Sequence, residues 1–189
     1  MSHFLSCKIA DFLVYQQQIS EEEWEIYQYG YDTLIYSIEQ TILLLLLGLL
    51  FHQLTGTLLY ISSYFLIRRY TGGYHASTRL RCTLLTLSTY ILSIIVGNIL
   101  VYVPHFYVIL GVLQLIYYIL IYQYSPVEHP DKPLSDNLKK KNRRNGFILS
   151  ILFTIVTLLC SIHSSKAAGI LSCSLMSIAV LTIHHESYS

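Results

Sequence analysis

From Leu84 to Tyr122 the chain carries no Asp, Glu, Lys or Arg, a run of 39 positions. As one helix this run would extend about 58 Å, against a hydrocarbon core of about 30 Å. It therefore has to fold back on itself. The break belongs near Asn98 to His105, where "GNILVYVPH" supplies Gly97, Asn98 and Pro104, because proline is poorly tolerated inside a helix. Two spans are predicted, 83–101 and 105–123. Phe147 to Ile183 is likewise too long for one crossing and is interrupted at "HSSKAAG", which predicts spans at 147–163 and 167–184 with Lys166 in an exposed loop.

Composition agrees with this reading. Charged residues make up 12% of the chain and hydrophobic ones 53%, whereas a soluble domain is about 25% charged. The fold class expected is all-α: a polytopic membrane protein with about six membrane-embedded helical segments, forming a single domain over 1–189. The uncharged stretch from Gln40 to Ile67 is about 42 Å as a helix, too long for one upright span and too short for two. Two short or partly re-entrant segments, 33–52 and 54–67, broken at "HQLTGT", place the N-terminus in the cytoplasm; a single tilted helix places it outside. Residues 1–30 mix charges with Phe4, Leu5, Phe12 and Trp24, the pattern of an amphipathic helix lying in the interface. The N-terminus lacks the basic, apolar and small-residue order of a cleaved signal peptide.

Net charge is +1, but the basic residues cluster. Arg68, Arg69, Arg79 and Arg81 form one group, and Lys132, Lys139, Lys140, Lys141, Arg143 and Arg144 another, the latter within the proline-rich stretch 124–146. That stretch is expected to be an extended connection outside the bilayer, and the positive-inside rule makes it cytoplasmic. Since each pair of spans crosses and returns, the first arginine group and the C-terminus fall on the same side.

The stretch "RRYTGGYHASTRLRC", Arg68 to Cys82, thus sits where water meets the bundle. A cysteine is a nucleophile as thiolate, which nearby cations, a histidine partner and a helix N-terminus favour. On a straight helix His75 and Cys82 would share a face but stand about 10 Å apart along the axis, beyond the roughly 3 Å a nucleophile and base need. A pair acting together requires a bend, which Gly72 and Gly73 permit, with Ser77 or Thr78 as N-cap of the next helix. The same residues also fit a plainer account, in which the histidine is interfacial, the cysteine packs, and the arginines anchor helices at headgroups. The remaining cysteines, Cys7, Cys160 and Cys173, are dispersed without a CxxC and read as small packing residues, so neither a zinc site nor a disulfide framework is expected. Asn98, Gln114, Gln53 and Glu39 are polar groups in or beside apolar segments, where a neighbouring helix or water path is expected to satisfy them. The run Glu21–Glu23 lies outside any convincing span and does not support a glutamate protease.

The paired arginines, the glycine turn, His-Ala, and a cysteine seven residues after the histidine resemble the active-site region of the accessory gene regulator B (AgrB) family, membrane cysteine endopeptidases that process quorum-sensing peptide precursors. "YSPVEHPDKPLSDNLKKKNRR" is similar to that family's Pro- and Lys-rich connection. The resemblance implies Cys82 as nucleophile and His75 as general base and later acid, at a cytoplasm-facing site. It implies cleavage of the precursor after its signal sequence through an acyl-enzyme thioester, then attack by a side chain of the peptide, usually cysteine, to give a cyclic thiolactone. The implied partner is a small amphipathic precursor with an acidic C-terminal part, whose carboxylates Arg68, Arg69, Arg79 and Arg81 would bind and whose backbone Gly72 and Gly73 would let approach. Membrane lipid and, on the resemblance alone, a second copy of the chain complete the expected partners; no cofactor, metal or nucleic acid is expected. The competing class is non-enzymatic, a small membrane scaffold or peptide transporter.

Overall fold

In the computed structural model, which describes residues 2–73, 78–127 and 135–183, the chain is all helical: no strand occurs among the described residues. Seven α-helices follow one another among the described residues: α1 Ser2–Tyr15, α2 Trp24–Leu50, α3 Leu54–Thr71, α4 Arg79–Leu100, α5 Phe106–Tyr124, α6 Asp136–His163 and α7 Ser165–Ile183. Five are long and apolar enough to cross a membrane: α2 with the 3-10 turn before it, and α4 to α7. The chain divides into two compact units at Leu47 and Gly48.

Within the first unit, the interfacial helix expected over 1–30 ends at Tyr15, and a turn of 3-10 helix at Glu21–Glu23 follows. The sequence Ser-Glu-Glu-Glu produces it. The Glu23 carboxylate accepts from both the backbone N–H and the hydroxyl of Ser20, each at 3.0 Å, the reciprocal bond of a capping box. Trp24 donates to Asp11 at 2.8 Å and ties the start of α2 to α1. Phe4 and Phe12 are exposed, as an interfacial helix requires.

In the second unit α7 is the central element. Two-thirds of its span is buried (67%), against 22–28% for α4, α5 and α6, and it packs on α3, α4, α5 and α6. Its sequence explains why. Ala167, Ala168, Gly169, Ser172, Ser174, Ala179 and Thr182 are all buried, and small residues let helix backbones approach where lipid offers no hydrophobic drive between helices. The approach is closest to α4: a Cβ on Gly97 would stand 2.5 Å from the N and Cα of Ile170. Hydroxyl bonds supply the rest. Ser63 and Ser174 pair at 2.8 Å, Tyr117 and Ser150 at 2.6 Å, and Thr154 donates to Gln114 at 3.0 Å.

The breaks fall where turn chemistry puts them, with differences of detail. Helix α4 continues through Gly97 and Asn98, whose side chain bonds the Ile94 carbonyl at 2.8 Å, and the chain turns at Pro104 and His105, the latter at φ 61°. The break between α6 and α7 is a single residue, Ser164, whose hydroxyl accepts from the Ala167 N–H at 3.4 Å; Lys166 lies in the first turn of α7 rather than in a loop. The stretch 124–146 is not wholly extended. Helix α6 begins at Asp136, so Lys139, Lys140, Lys141, Arg143 and Arg144 are helical. Lysine and arginine are good helix formers, and no glycine or proline interrupts 136–145. Lys132 lies outside the described residues. The segments expected at 33–52 and 54–67 are α2, which starts nine residues earlier at Trp24, and α3, which runs on to Thr71. They part at Phe51–Gln53, with His52 at φ 53°.

Candidate active site

The candidate site is built from the end of α3, the start of α4 and the first residues after α5. Arg68 and Arg69 occupy the last turn of α3, where cations complement the helix dipole. Gly72 stops the helix: its N–H bonds the Arg68 carbonyl at 2.9 Å, and its φ of 69° with ψ of −147° is a conformation essentially reserved for glycine. Val127, arriving from the end of α5, donates its N–H to the Thr71 carbonyl at 2.9 Å. Its own carbonyl lies 2.7 Å from where a Cβ of Gly72 would be. The space left by the missing side chain of Gly72 is thus filled by this chain's own backbone. Gly73, at φ 130°, faces the Leu181 carbonyl in the same way, 3.3 Å from its Cβ position.

Tyr74, His75, Ala76 and Ser77 lie outside the described residues, so the pairing of His75 with Cys82 rests on sequence. Description resumes at Thr78, which is the N-cap of α4: extended at φ −130° and ψ 150°, its hydroxyl accepts from the Arg81 N–H at 3.3 Å. The Cys82 N–H makes the first bond of the helix, to the Thr78 carbonyl at 3.0 Å. The buried residues of α4 are Thr86, Tyr90, Ser93 and Gly97, steps of four, three and four that define one helix face. Cys82 is the preceding member of that series. The thiol is free and half-buried, at the N-terminal end of the stripe that α4 turns toward its neighbours.

The four arginines are not equivalent. Arg69, Arg79 and Arg81 are exposed, whereas Arg68 is half-buried. Its guanidinium donates to the Tyr64 hydroxyl and lies 5.1 Å over the Tyr64 ring. Tyr64 in turn stacks on Tyr60 at 5.2 Å. Tyr60 bonds the Thr89 hydroxyl at 2.8 Å and the Thr86 carbonyl at 3.3 Å, and Tyr90 pairs with Thr57 at 2.7 Å. This ladder was not expected from sequence, although its signal is readable: Tyr60, Tyr64 and Arg68 recur every four residues, one face of a helix.

An apolar cavity of about 660 Å³ begins at Leu85, one turn past Cys82, and follows α4 to Leu100 against α5 and α7. Cys173 lines it, and Cys160 packs against Phe106, Leu110 and Ala168. Gln114 is satisfied between α6 and α7, by Thr154 at 3.0 Å and Ser172 at 3.5 Å. Among the described residues, no group of three or more His, Cys, Asp or Glu side chains is placed to hold a metal ion.

Compared with known proteins, residues 6–184 match the model of the family described as accessory gene regulator B. The chain belongs to that family. It is 31% identical over 185 residues to the accessory gene regulator protein B of Staphylococcus haemolyticus, covering 93% of each chain. It is 30% identical over 154 residues to an AgrB-like protein of Clostridium perfringens strain SM101, covering 77% of this chain and 68% of that one. To the accessory gene regulator protein B of Staphylococcus lugdunensis it is 26% identical over 154 residues, covering 82% and 80%. No solved structure matches. As an AgrB-family member the protein has a role in the accessory gene regulator system.

Proposed function

We propose that this AgrB-family chain is a membrane cysteine endopeptidase and peptide cyclase, acting from the cytoplasmic face on an autoinducer precursor. The observation that carries the proposal is the position of Cys82, in the capped first turn of α4 at the N-terminal end of its buried stripe, seven residues after His75. The precursor is a small amphipathic peptide with an acidic C-terminal part, as the family's role implies.

In the reaction His75 takes the Cys82 thiol proton as Sγ attacks the scissile carbonyl. The C–N bond of the resulting tetrahedral adduct breaks, and the imidazolium returns the proton to the departing amine. An acyl thioester on Cys82 remains. A thiol of the peptide then gives its proton to His75 and attacks the thioester carbonyl; the Cys82 thiolate leaves and recovers that proton. One thioester replaces another, so the second half is nearly isoenergetic, and the outcome turns on excluding water. The apolar cavity that starts one turn past Cys82 suits that requirement. The exposed Arg69, Arg79 and Arg81 would bind carboxylates of the precursor in this reading, while Arg68 is held inward by Tyr64.

The test is co-expression with a candidate precursor, a small amphipathic peptide with an acidic C-terminal part, followed by mass spectrometry of membranes. A C-terminal precursor fragment is expected with the wild type and is expected to vanish in Cys82→Ala and in His75→Ala, with both variants present in the membrane. Cleavage that survives either substitution removes that residue from the mechanism.

A further inference from the structure

A second cavity, of about 380 Å³, lies between the last turn of α5 and the first turns of α6, and Cys82 is not among its lining residues. Its α6 wall is Lys140, Arg143, Arg144, Phe147 and Ile148. These positions are i, i+3, i+4, i+7 and i+8, so one helix face presents three cations and then, one turn on, two large apolar side chains. Opposite stand Ile121, Tyr122 and Ser125 of α5 and its C-cap. The cavity therefore straddles the level at which α5 leaves the apolar zone and α6 enters it. Arg143 is already seated: its guanidinium donates to the Tyr122 carbonyl at 3.0 Å and lies 4.8 Å over the Tyr122 ring. Lys140 and Arg144 flank it, both exposed. Phe147 packs at 5.6 Å on Tyr118 and fixes the apolar wall.

We infer that this cavity is a binding site for one anionic phospholipid, with the phosphate among Lys140, Arg143 and Arg144 and an acyl chain running down past Phe147 and Ile148. Three features of the site select that occupant. The triple positive charge demands an anion, since basic residues at a membrane surface each contribute about 1 kcal/mol toward anionic lipid. The apolar wall of Phe147 and Ile148 continues the cavity beyond the cations toward the apolar part of α6, a feature that an acyl chain uses and a free phosphate does not. Phe147 and Ile148 are 38% and 56% exposed, so the wall opens sideways to a chain. The volume lies at the low end of the roughly 300–1,000 Å³ of small-ligand pockets, enough for a headgroup and the start of a tail.

The experiment is native mass spectrometry of the full-length protein in detergent, titrated with phosphatidylglycerol or with phosphatidylcholine of the same acyl chains. One tightly held phosphatidylglycerol is expected, with its affinity reduced roughly tenfold or more in Lys140→Gln/Arg143→Gln/Arg144→Gln. The control Lys139→Gln/Lys141→Gln/Lys166→Gln, which removes the same charge elsewhere, is expected to keep it. On the unaltered chain, a photoactivatable phosphatidylglycerol is expected to label the segment 140–148, which needs no variant to fold. Equal loss in both triple variants, equal binding of the two lipids, or labelling spread over all helices would overturn the inference. So would displacement of the lipid by inorganic phosphate, which would make this a phosphate site. Preferential capture of a synthetic glutamate-rich amphipathic peptide by the same three residues, with lipid binding unchanged in their absence, would overturn it in favour of a peptide site.

Discussion

Substituting Gly72 by alanine tests the junction on which the candidate site is built. Two costs add. The backbone at φ 69° and ψ −147° is strained for any residue with a Cβ, by about 1–3 kcal/mol. The new methyl would stand 2.7 Å from the Val127 carbonyl oxygen, well inside van der Waals contact. The oxygen it meets is backbone, so relief means moving Val127 and stretching its 2.9 Å bond to the Thr71 carbonyl, about 0.5–1.5 kcal/mol more. The junction should thus open more easily by about 1.5–4.5 kcal/mol. At 1.4 kcal/mol per tenfold, amide exchange at Val127 should rise roughly tenfold to a thousandfold. Hydrogen–deuterium exchange of a peptide covering 124–127 reads this well, because Pro126 contributes no amide. Precursor cleavage should fall in the same variant, since Thr71 to Thr78 carries His75. Gly111→Ala is the control: its Cβ meets nothing within 4 Å, and a helix interior gains up to about 1 kcal/mol from the change. Val127 exchange within about twofold of the wild type in Gly72→Ala would refute the reasoning.

Three further outcomes follow from the packing and the charges. Gly97→Ala places a Cβ 2.5 Å from the Ile170 backbone, so α4 and α7 must part; thermal unfolding in detergent should show a loss of about 1–3 kcal/mol, absent from Gly30→Ala, where nothing lies within 4 Å. Tyr60→Phe removes the hydroxyl that bonds Thr89 and Thr86 and should cost about 1 kcal/mol in the same assay. Arg69→Glu/Arg79→Glu should lower processing of an acidic precursor by about tenfold or more, and replacing the precursor's acidic residues by lysine should restore it; loss that no change in the peptide repairs would separate these arginines from substrate binding.

The fold class was legible because lipid imposes one rule on every segment: an apolar run must be helical and about 20 residues long. Leu84 to Tyr122 therefore had to break once, and Pro104 marked the place. Helix α3 was less legible for the opposite reason. Thr57, Tyr60, Ser63 and Tyr64 are buried, and their hydroxyls dilute the hydropathy that identifies a span; partners on α4 and α7, which only the tertiary structure supplies, make them interior residues. The basic run 139–144 misled in another way, since charge and nearby prolines suggested an extended connection while the six residues themselves are compatible with helix. At the site, the Thr78 cap and the glycine turn were readable from local chemistry. That Gly72 faces Val127, 55 positions away in the chain, was not, because glycine advertises a close approach without naming the group that approaches.

The division among the four arginines connects packing to chemistry. Between helices in lipid there is no hydrophobic drive, so hydroxyl bonds and backbone contact hold α3, α4 and α7 together. Those contacts run unbroken from Thr57 and Tyr90, through Tyr60 and Tyr64, to Arg68. Arg68 is thereby the last rung of the interior rather than the first residue of the surface. Cys82 holds the matching position on α4, next in the series Thr86, Tyr90, Ser93. A thiol placed there has the packed stripe behind it, which is what the positioning of the proposed nucleophile to within a fraction of an ångström would demand, while Arg69, Arg79 and Arg81 are exposed. Loosening the ladder at Tyr60 or Tyr64 should therefore reduce turnover at saturating precursor more than apparent affinity, whereas reversing the exposed arginines should do the opposite.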